Sequence, residues 1–126
     1  MKLIIGGTCQ GKKEYASEKY HLSGNDWTDG KKCGRDDVFH GKAVYRFHEY
    51  IRNRLREGED TAALAEEILE KNPQLIIVTD EVGYGIVPVE KQERIWREAC
   101  GRVCTRLAKE ADSVIRVCCG IGNRIK

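Results

Sequence analysis

Alternating strand and helix signals predict an α/β fold of three layers, with helices on both faces of a mostly parallel sheet. Two short apolar runs carry the prediction. Leu3-Ile4-Ile5 feeds a glycine loop and then a helix-forming stretch, and Leu75-Ile76-Ile77-Val78 lies between Pro73 and Thr79-Asp80. Unbroken apolar runs of this length, closed by turn residues, are the pattern of parallel strands buried on both faces. Helical periodicity between them supplies the outer layers.

The first strand gives way at Gly6-Gly7. From Gly11 to about Tyr20 nothing breaks a helix, and His21 to Asn25 reads as a loop. Asp26 to Gly41 is polar and dotted with glycine, so short strand pieces and loop are expected there, with Trp27, Val38 and Phe39 as its core candidates. Between Ala43 and Arg56, Val44, Phe47, Ile51 and Leu55 recur at helical spacing. The later part reads as an amphipathic helix and the first residues as a strand, with Arg52, Arg54 and Arg56 on a solvated face. Asp60 or Thr61 caps a helix that ends at Asn72-Pro73. The segment from Glu90 to Glu110 is the longest helical pattern and sets Ile95, Ala99, Val103 and Leu107 on one face. A strand over Val114 to Cys118, a turn to Asn123 and an edge strand over Arg124 to Lys126 close the chain as a C-terminal edge hairpin.

The 126 residues suit one hydrophobic core, so a single domain over 1–126 is expected. A 33% charged, 40% apolar composition with two prolines fits neither a disordered nor a fibrous chain. A formal charge of +2 with no basic tract gives no reason to expect a nucleic-acid partner. No run is long enough to span a membrane, and nothing at the start resembles a signal segment, so a cytoplasmic protein with reduced thiols is the reading. The six cysteines contain no CxxC pair. Neither Cys100/Cys104 nor Cys118/Cys119 is followed by a second matching pair, so no metal site is expected.

The loop Gly6-Gly7-Thr8-Cys9-Gln10-Gly11-Lys12 satisfies G-x-x-x-x-G-K between a strand and a helix. In that setting glycines let successive backbone N–H groups turn inward onto phosphate oxygens. The helix start adds positive potential, and Lys12 adds a point charge from what is expected to be a solvent-facing loop position. The Ser or Thr hydroxyl that should follow to ligate Mg²⁺ is replaced by Lys13. Its ammonium is expected within reach of the same oxygens, so a magnesium contribution should be weakened.

Further along, Val78-Thr79-Asp80-Glu81-Val82-Gly83-Tyr84-Gly85-Ile86-Val87-Pro88, the helical Gly101-Arg102-Val103 and the terminal Gly120-Ile121-Gly122-Asn123-Arg124-Ile125-Lys126 stand in that order. With the glycine loop they cover about half the chain, which resembles the adenosylcobinamide kinase / adenosylcobinamide-phosphate guanylyltransferase family. The family's N-E-V-G-x-G-I-V-P, A-G-R-V-N-Q-x-L-A and G-I-x-x-x-I-K segments are the ones matched. The resemblance implies a P-loop fold with a RecA-like sheet, a kinase and nucleotidyltransferase of cobalamin biosynthesis, GTP or ATP as nucleotide, a corrinoid substrate and a homotrimer. Phosphate goes onto the aminopropanol hydroxyl, and GMP then follows through a guanylyl-histidine.

The middle of the chain departs from the family pattern. No H-x-x-x-R-P occurs, and His21, His40 and His48 are the histidines present. The resemblance also implies an acidic residue at the end of an earlier strand, near His48, where Glu49 is the nearby acid. Trp27-Thr28-Asp29 takes the place of the family's I-A-T-like segment, which brings Thr28 into the nucleotide-binding set of Gly6, Gly7, Thr8, Cys9, Gln10, Gly11, Lys12 and Lys13. The catalytic candidates are Lys12, Glu81, Glu49 and His48. Asp80 stands where the family more often has Asn and is read as a helper. For His48 a surface or rim position remains the alternative, and for Glu81 a capping or solvated one. Gly83, Gly85 and Pro88 are read as shaping the loop after the strand, and Arg102 as a helix-surface ion-pair partner. Two functional readings stay open: an enzyme acting on a corrinoid, or an accessory protein that binds nucleotide or corrinoid without turnover. No guanine-reading NKxD segment is present to choose the base.

Overall fold

The computed structural model describes residues 1–83, 85 and 89–126. Strands β1 (Lys2–Gly6), β2 (Trp27–Asp29), β3 (Ala43–Tyr45), β4 (Ile76–Asp80), β5 (Ser113–Cys118) and β6 (Ile121–Arg124) form one sheet in the order β2-β3-β4-β1-β5-β6. All neighbours run parallel except β5 and β6, which form the C-terminal hairpin. The helices are α1 (Lys12–Tyr20), α2 (Asp37–His40), α3 (Phe47–Arg56), α4 (Leu64–Lys71) and α5 (Lys91–Glu110).

Alternation along the strands divides the core in two. Leu3, Val44, Ile77 and Val114 face α3, α4 and α5, where they meet Phe47, Tyr50, Ile51, Leu64, Ile68, Val103 and Leu107. Ile4, Ala43, Ile76, Val78, Ile115 and Val117 face the other way, onto Ala16 of α1 and Leu22. Strands covered on both faces lose their apolar surface to helices on each side, so continuous apolar runs are stable there. This is the three-layer α/β architecture with an edge hairpin that the pattern predicts.

Several elements differ from expectation. Residues 37–40 form a helical turn, where short strand pieces and loop are expected, because Val38 and Phe39 are both drawn under α4 into the core. The final turn is only Cys119-Gly120, with φ 51° and 75°, so β6 starts at Ile121 and pairs with Cys118 instead of starting at Arg124. Two residues with positive φ match the twist of the flanking strands, which is why the hairpin closes so tightly.

Ile95 is exposed while Ala99, Val103 and Leu107 of the same helix are buried. The arginine face of α3 is not uniformly solvated either. Arg54 is 3% exposed and paired with Glu57 at 3.1 Å and Glu59 at 3.7 Å, while the Arg52 guanidinium lies 3.7 Å from the Trp96 ring centroid. Arg102 pairs with Glu98 one turn away on α5. Pro88, read as part of the loop after β4, lies outside the described residues. Among the described residues no helix is long and apolar enough to cross a membrane.

Candidate phosphate site

Topology alone brings the central groups together. β1 and β4 are parallel neighbours with Gly6 opposite Asp80, so the loop leaving β1 and the carboxylate ending β4 emerge side by side at the carboxyl edge of the sheet. That edge is where open α/β sheets hold their ligands. The loop is tightly placed. A Cβ on Gly6 would sit 2.4 Å from the Val117 carbonyl of β5, and Gly11, the N-cap of α1, takes φ 82°, so both positions require glycine.

Lys12 turns back over this loop. Its Nζ donates to the Gly7 carbonyl at 2.6 Å and pairs with Asp80 Oδ1 at 2.7 Å. Only 6% of the residue is exposed, so the expectation of a solvent-facing lysine that buries little is corrected. The reason is the adjacent β4 end, which supplies an anionic partner that sequence order hides. Thr8 Oγ1 donates to the other Asp80 oxygen at 2.9 Å. Burial raises the Asp80 pKa, but the Lys12 hydrogen bond, the charges of His48 and Lys12 and the Thr8 hydroxyl outweigh it and hold the group below its ordinary value.

His48 completes the cluster. Its Nδ1 accepts the backbone N–H of Asp80 at 3.1 Å, and its Nε2 lies 3.5 Å from Asp80 Oδ2. The ring is buried, so a surface or rim position is not what the fold gives it. Burial lowers its pKa, against the opposing charges of Asp80 and Glu49. With Nδ1 accepting an amide proton, the neutral ring carries its own proton on Nε2, toward Asp80. The backbone carbonyl of His48 accepts from Trp96 Nε1 at 2.8 Å, which ties α3 to α5 at this point.

The other candidates fall in three places. Glu49 lines the adjoining cleft of about 400 Å³ together with Thr8, Lys31, Arg46, His48 and Asp80, and its carboxylate lies 3.6 Å from Arg52. Glu81 reaches the same cleft, but its carboxylate accepts from Arg116 Nε at 3.2 Å while its N–H extends the β1 pairing to Gly6 at 2.9 Å. Cys9 is exposed with φ 59°, and Gln10 faces away from the cleft onto the β5–β6 turn, where its Oε1 accepts from Cys119 N–H at 2.7 Å.

Two candidates are not assembled with the rest. Lys13 Nζ lies 4.0 Å above the Tyr45 ring and 5.7 Å from the Trp27 ring, so the expectation that it lies over the outer phosphate oxygens is corrected: aromatic faces hold the ammonium. Thr28 sits mid-strand with its Oγ1 against Gly41, and strand alternation sends its neighbours Trp27 and Asp29 to the opposite face.

Asp80 itself, read only as a helper, is the hub of the site. Its signal in the sequence is its place as the polar stop of a buried apolar run, which puts a carboxylate at a parallel strand's end. Arg46 and Asp29 carried no such signal. β3 ends without an acid. In the next position Arg46, with φ 53°, makes a two-pronged pair with Asp29 at the end of β2, Nε to Oδ1 at 2.9 Å and Nη2 to Oδ2.

Residues 44–125 match the family described as cobinamide kinase / cobinamide phosphate guanyltransferase. The chain belongs to this family. It is 49% identical over 53 residues to the bifunctional adenosylcobalamin biosynthesis protein CobU of Salmonella typhimurium and 45% identical over 53 residues to that of Escherichia coli. Each match covers 42% of this chain and spans 29% of the relative's length. The family match begins inside β3, after the glycine loop. Assignment of the loop to phosphate therefore stands on its own spacing and geometry.

Proposed function

We propose that this chain acts in cobalamin biosynthesis as an adenosylcobinamide kinase / guanylyltransferase-like protein, binding GTP or ATP on the Gly6–Lys12 loop for phosphoryl or nucleotidyl transfer to a corrinoid. The observation that carries the reading is the Lys12–Asp80 pair at 2.7 Å, set in a glycine loop at the carboxyl edge of two parallel strands. A triphosphate would compete with Asp80 and the Gly7 carbonyl for the lysine while the loop amides take phosphate oxygens. Lys12 then offsets charge on the transferring group, and Glu49, which lines the adjoining cleft with Thr8 and Asp80, is a carboxylate placed to orient an incoming hydroxyl.

The residues present do not fit a magnesium site of the usual P-loop kind. The hydroxyl position after Lys12 is Lys13, and both Asp80 oxygens already face Lys12, Thr8 and His48. Among the described residues no group of three His, Cys, Asp or Glu converges on one point. Nucleotide affinity is therefore expected to fall by less than about tenfold in excess EDTA.

Incubation with adenosylcobinamide and GTP or ATP, followed by mass analysis of the corrinoid, tests the proposal. Phosphorylated or GMP-bearing corrinoid supports the enzyme. Binding of nucleotide or corrinoid without product favours the accessory reading, and binding of neither removes both. No covalent GMP adduct is expected on the protein, since His48 is buried with Nδ1 engaged by a backbone amide. A GMP-sized mass gain mapping to His48 would overturn that expectation.

A further inference from the structure

Three of the six cysteines are exposed: Cys9 lies in the glycine loop, Cys118 ends β5, and Cys119 begins the β5–β6 turn beside that loop. The other three are withdrawn. Burial raises the thiol pKa of Cys33 and of Cys100 and pushes Cys104 up to about 12, so these are poor nucleophiles. The turn is fastened to the loop by two backbone donors. Cys119 N–H donates to Gln10 Oε1 at 2.7 Å, and Gly120 N–H donates to the Gln10 carbonyl at 2.8 Å. There is no slack between them, because a Cβ on Gly11 would come within 3.3 Å of Gly120 Cα. A group attached to the turn's side chains therefore presses on the same backbone that shapes the phosphate loop.

We propose that Cys118 and Cys119 form a modification site for low-molecular-weight disulfides, and that thiolation there loosens the Gly6–Lys12 loop through the two turn amides. The neighbouring Cys118 sulfur raises the Cys119 thiol above its ordinary value, and both side chains are open to solvent. The thiolate of either cysteine attacks one sulfur of R–S–S–R. Its Sγ–S–R bond forms as the old S–S bond breaks, and R–S⁻ leaves and takes a proton from water. A free thiol reverses the exchange. The site is thus a redox input on the loop, and only its expected effect on nucleotide rests on the function proposed above.

Glutathione disulfide serves as the probe, on the unsubstituted chain and on a Cys118→Ser/Cys119→Ser chain that keeps Cys9 as the third exposed thiol. Peptide mapping by mass should find an adduct on Cys118 or Cys119 that dithiothreitol removes and that the Cys118→Ser/Cys119→Ser chain lacks. No adduct there overturns the proposal. Amide hydrogen exchange over residues 9–12 should quicken by about tenfold in the adduct relative to the Cys118→Ser/Cys119→Ser chain treated in the same way, and equal exchange in the two overturns the coupling. GTP affinity should fall by about tenfold. If the unmodified, unsubstituted chain binds no GTP, the nucleotide reading fails, while mapping and exchange still decide the thiol site.

Discussion

Two ion pairs stand on the carboxyl edge of the same sheet, and they differ in what they leave available. Lys12–Asp80 joins the ends of β1 and β4, and Arg46–Asp29 joins the ends of β3 and β2. Arg46 meets its carboxylate with two prongs, Nε to one oxygen and Nη2 to the other, the two-pronged pairing that suits guanidinium and carboxylate. Lys12 is a point charge shared between a carboxylate and a carbonyl, on a flexible stem, at the first position of α1 after the glycine loop. A lysine so held can exchange one anionic partner for another. The arginine pair is a strut and the lysine pair is a latch, although both are a cation and an aspartate at adjoining strand ends.

The largest effect is expected from Lys12→Ala. It removes a charge-assisted contact to phosphate and should weaken triphosphate binding by about 10- to 100-fold in calorimetric titration. It also leaves Asp80 with only Thr8 and His48, so denaturant unfolding should show a loss of about 1–3 kcal/mol. Unchanged affinity for both GTP and ATP would reduce the loop to a strand-to-helix turn and make the two pairs equivalent.

His48 sharpens the latch through pH. Its folded pKa lies below the ordinary 6.5, because burial favours the neutral ring, so the unfolded chain binds more protons as pH falls. Stability should therefore be full above 6.5 and decline between that value and the lower folded pKa. His48→Asn keeps an acceptor near the Asp80 amide and cannot titrate, so it should flatten this part of the profile. An unaltered slope would place the titration elsewhere. Asp80 and Asp29, both held below the usual carboxylate value, act in a more acidic window, each contributing stability that is lost as pH falls through its folded pKa.

Arg46→Met tests the strut. With Arg46 more than a third exposed, its pair should contribute about 0.5–1 kcal/mol after solvent screening, and nucleotide affinity should change by less than about threefold. A loss of affinity as large as that of Lys12→Ala would mean that Arg46, too, is a phosphate ligand. The smallest effect belongs to Lys13→Gln. Loss of the contact with Tyr45 should cost about 0.5 kcal/mol, with no change in the ratio of affinities in magnesium and EDTA.

Sequence by itself determined the layers and the loop. Leu3-Ile4-Ile5 and Leu75 to Val78 could only be strands covered on both faces, and G-x-x-x-x-G-K marked Gly6 to Lys12 as the glycine loop between β1 and α1, because both signals are local in the chain. Tertiary structure alone decided which groups share the edge. Lys12 and Asp80 are 68 residues apart and meet only because β4 lies beside β1, while His48 reaches them from α3. The burial of Lys12, the turning of Lys13 onto Tyr45 and the separation of Thr28 from the loop follow from strand order and face, and these come from long-range pairing that no local spacing encodes.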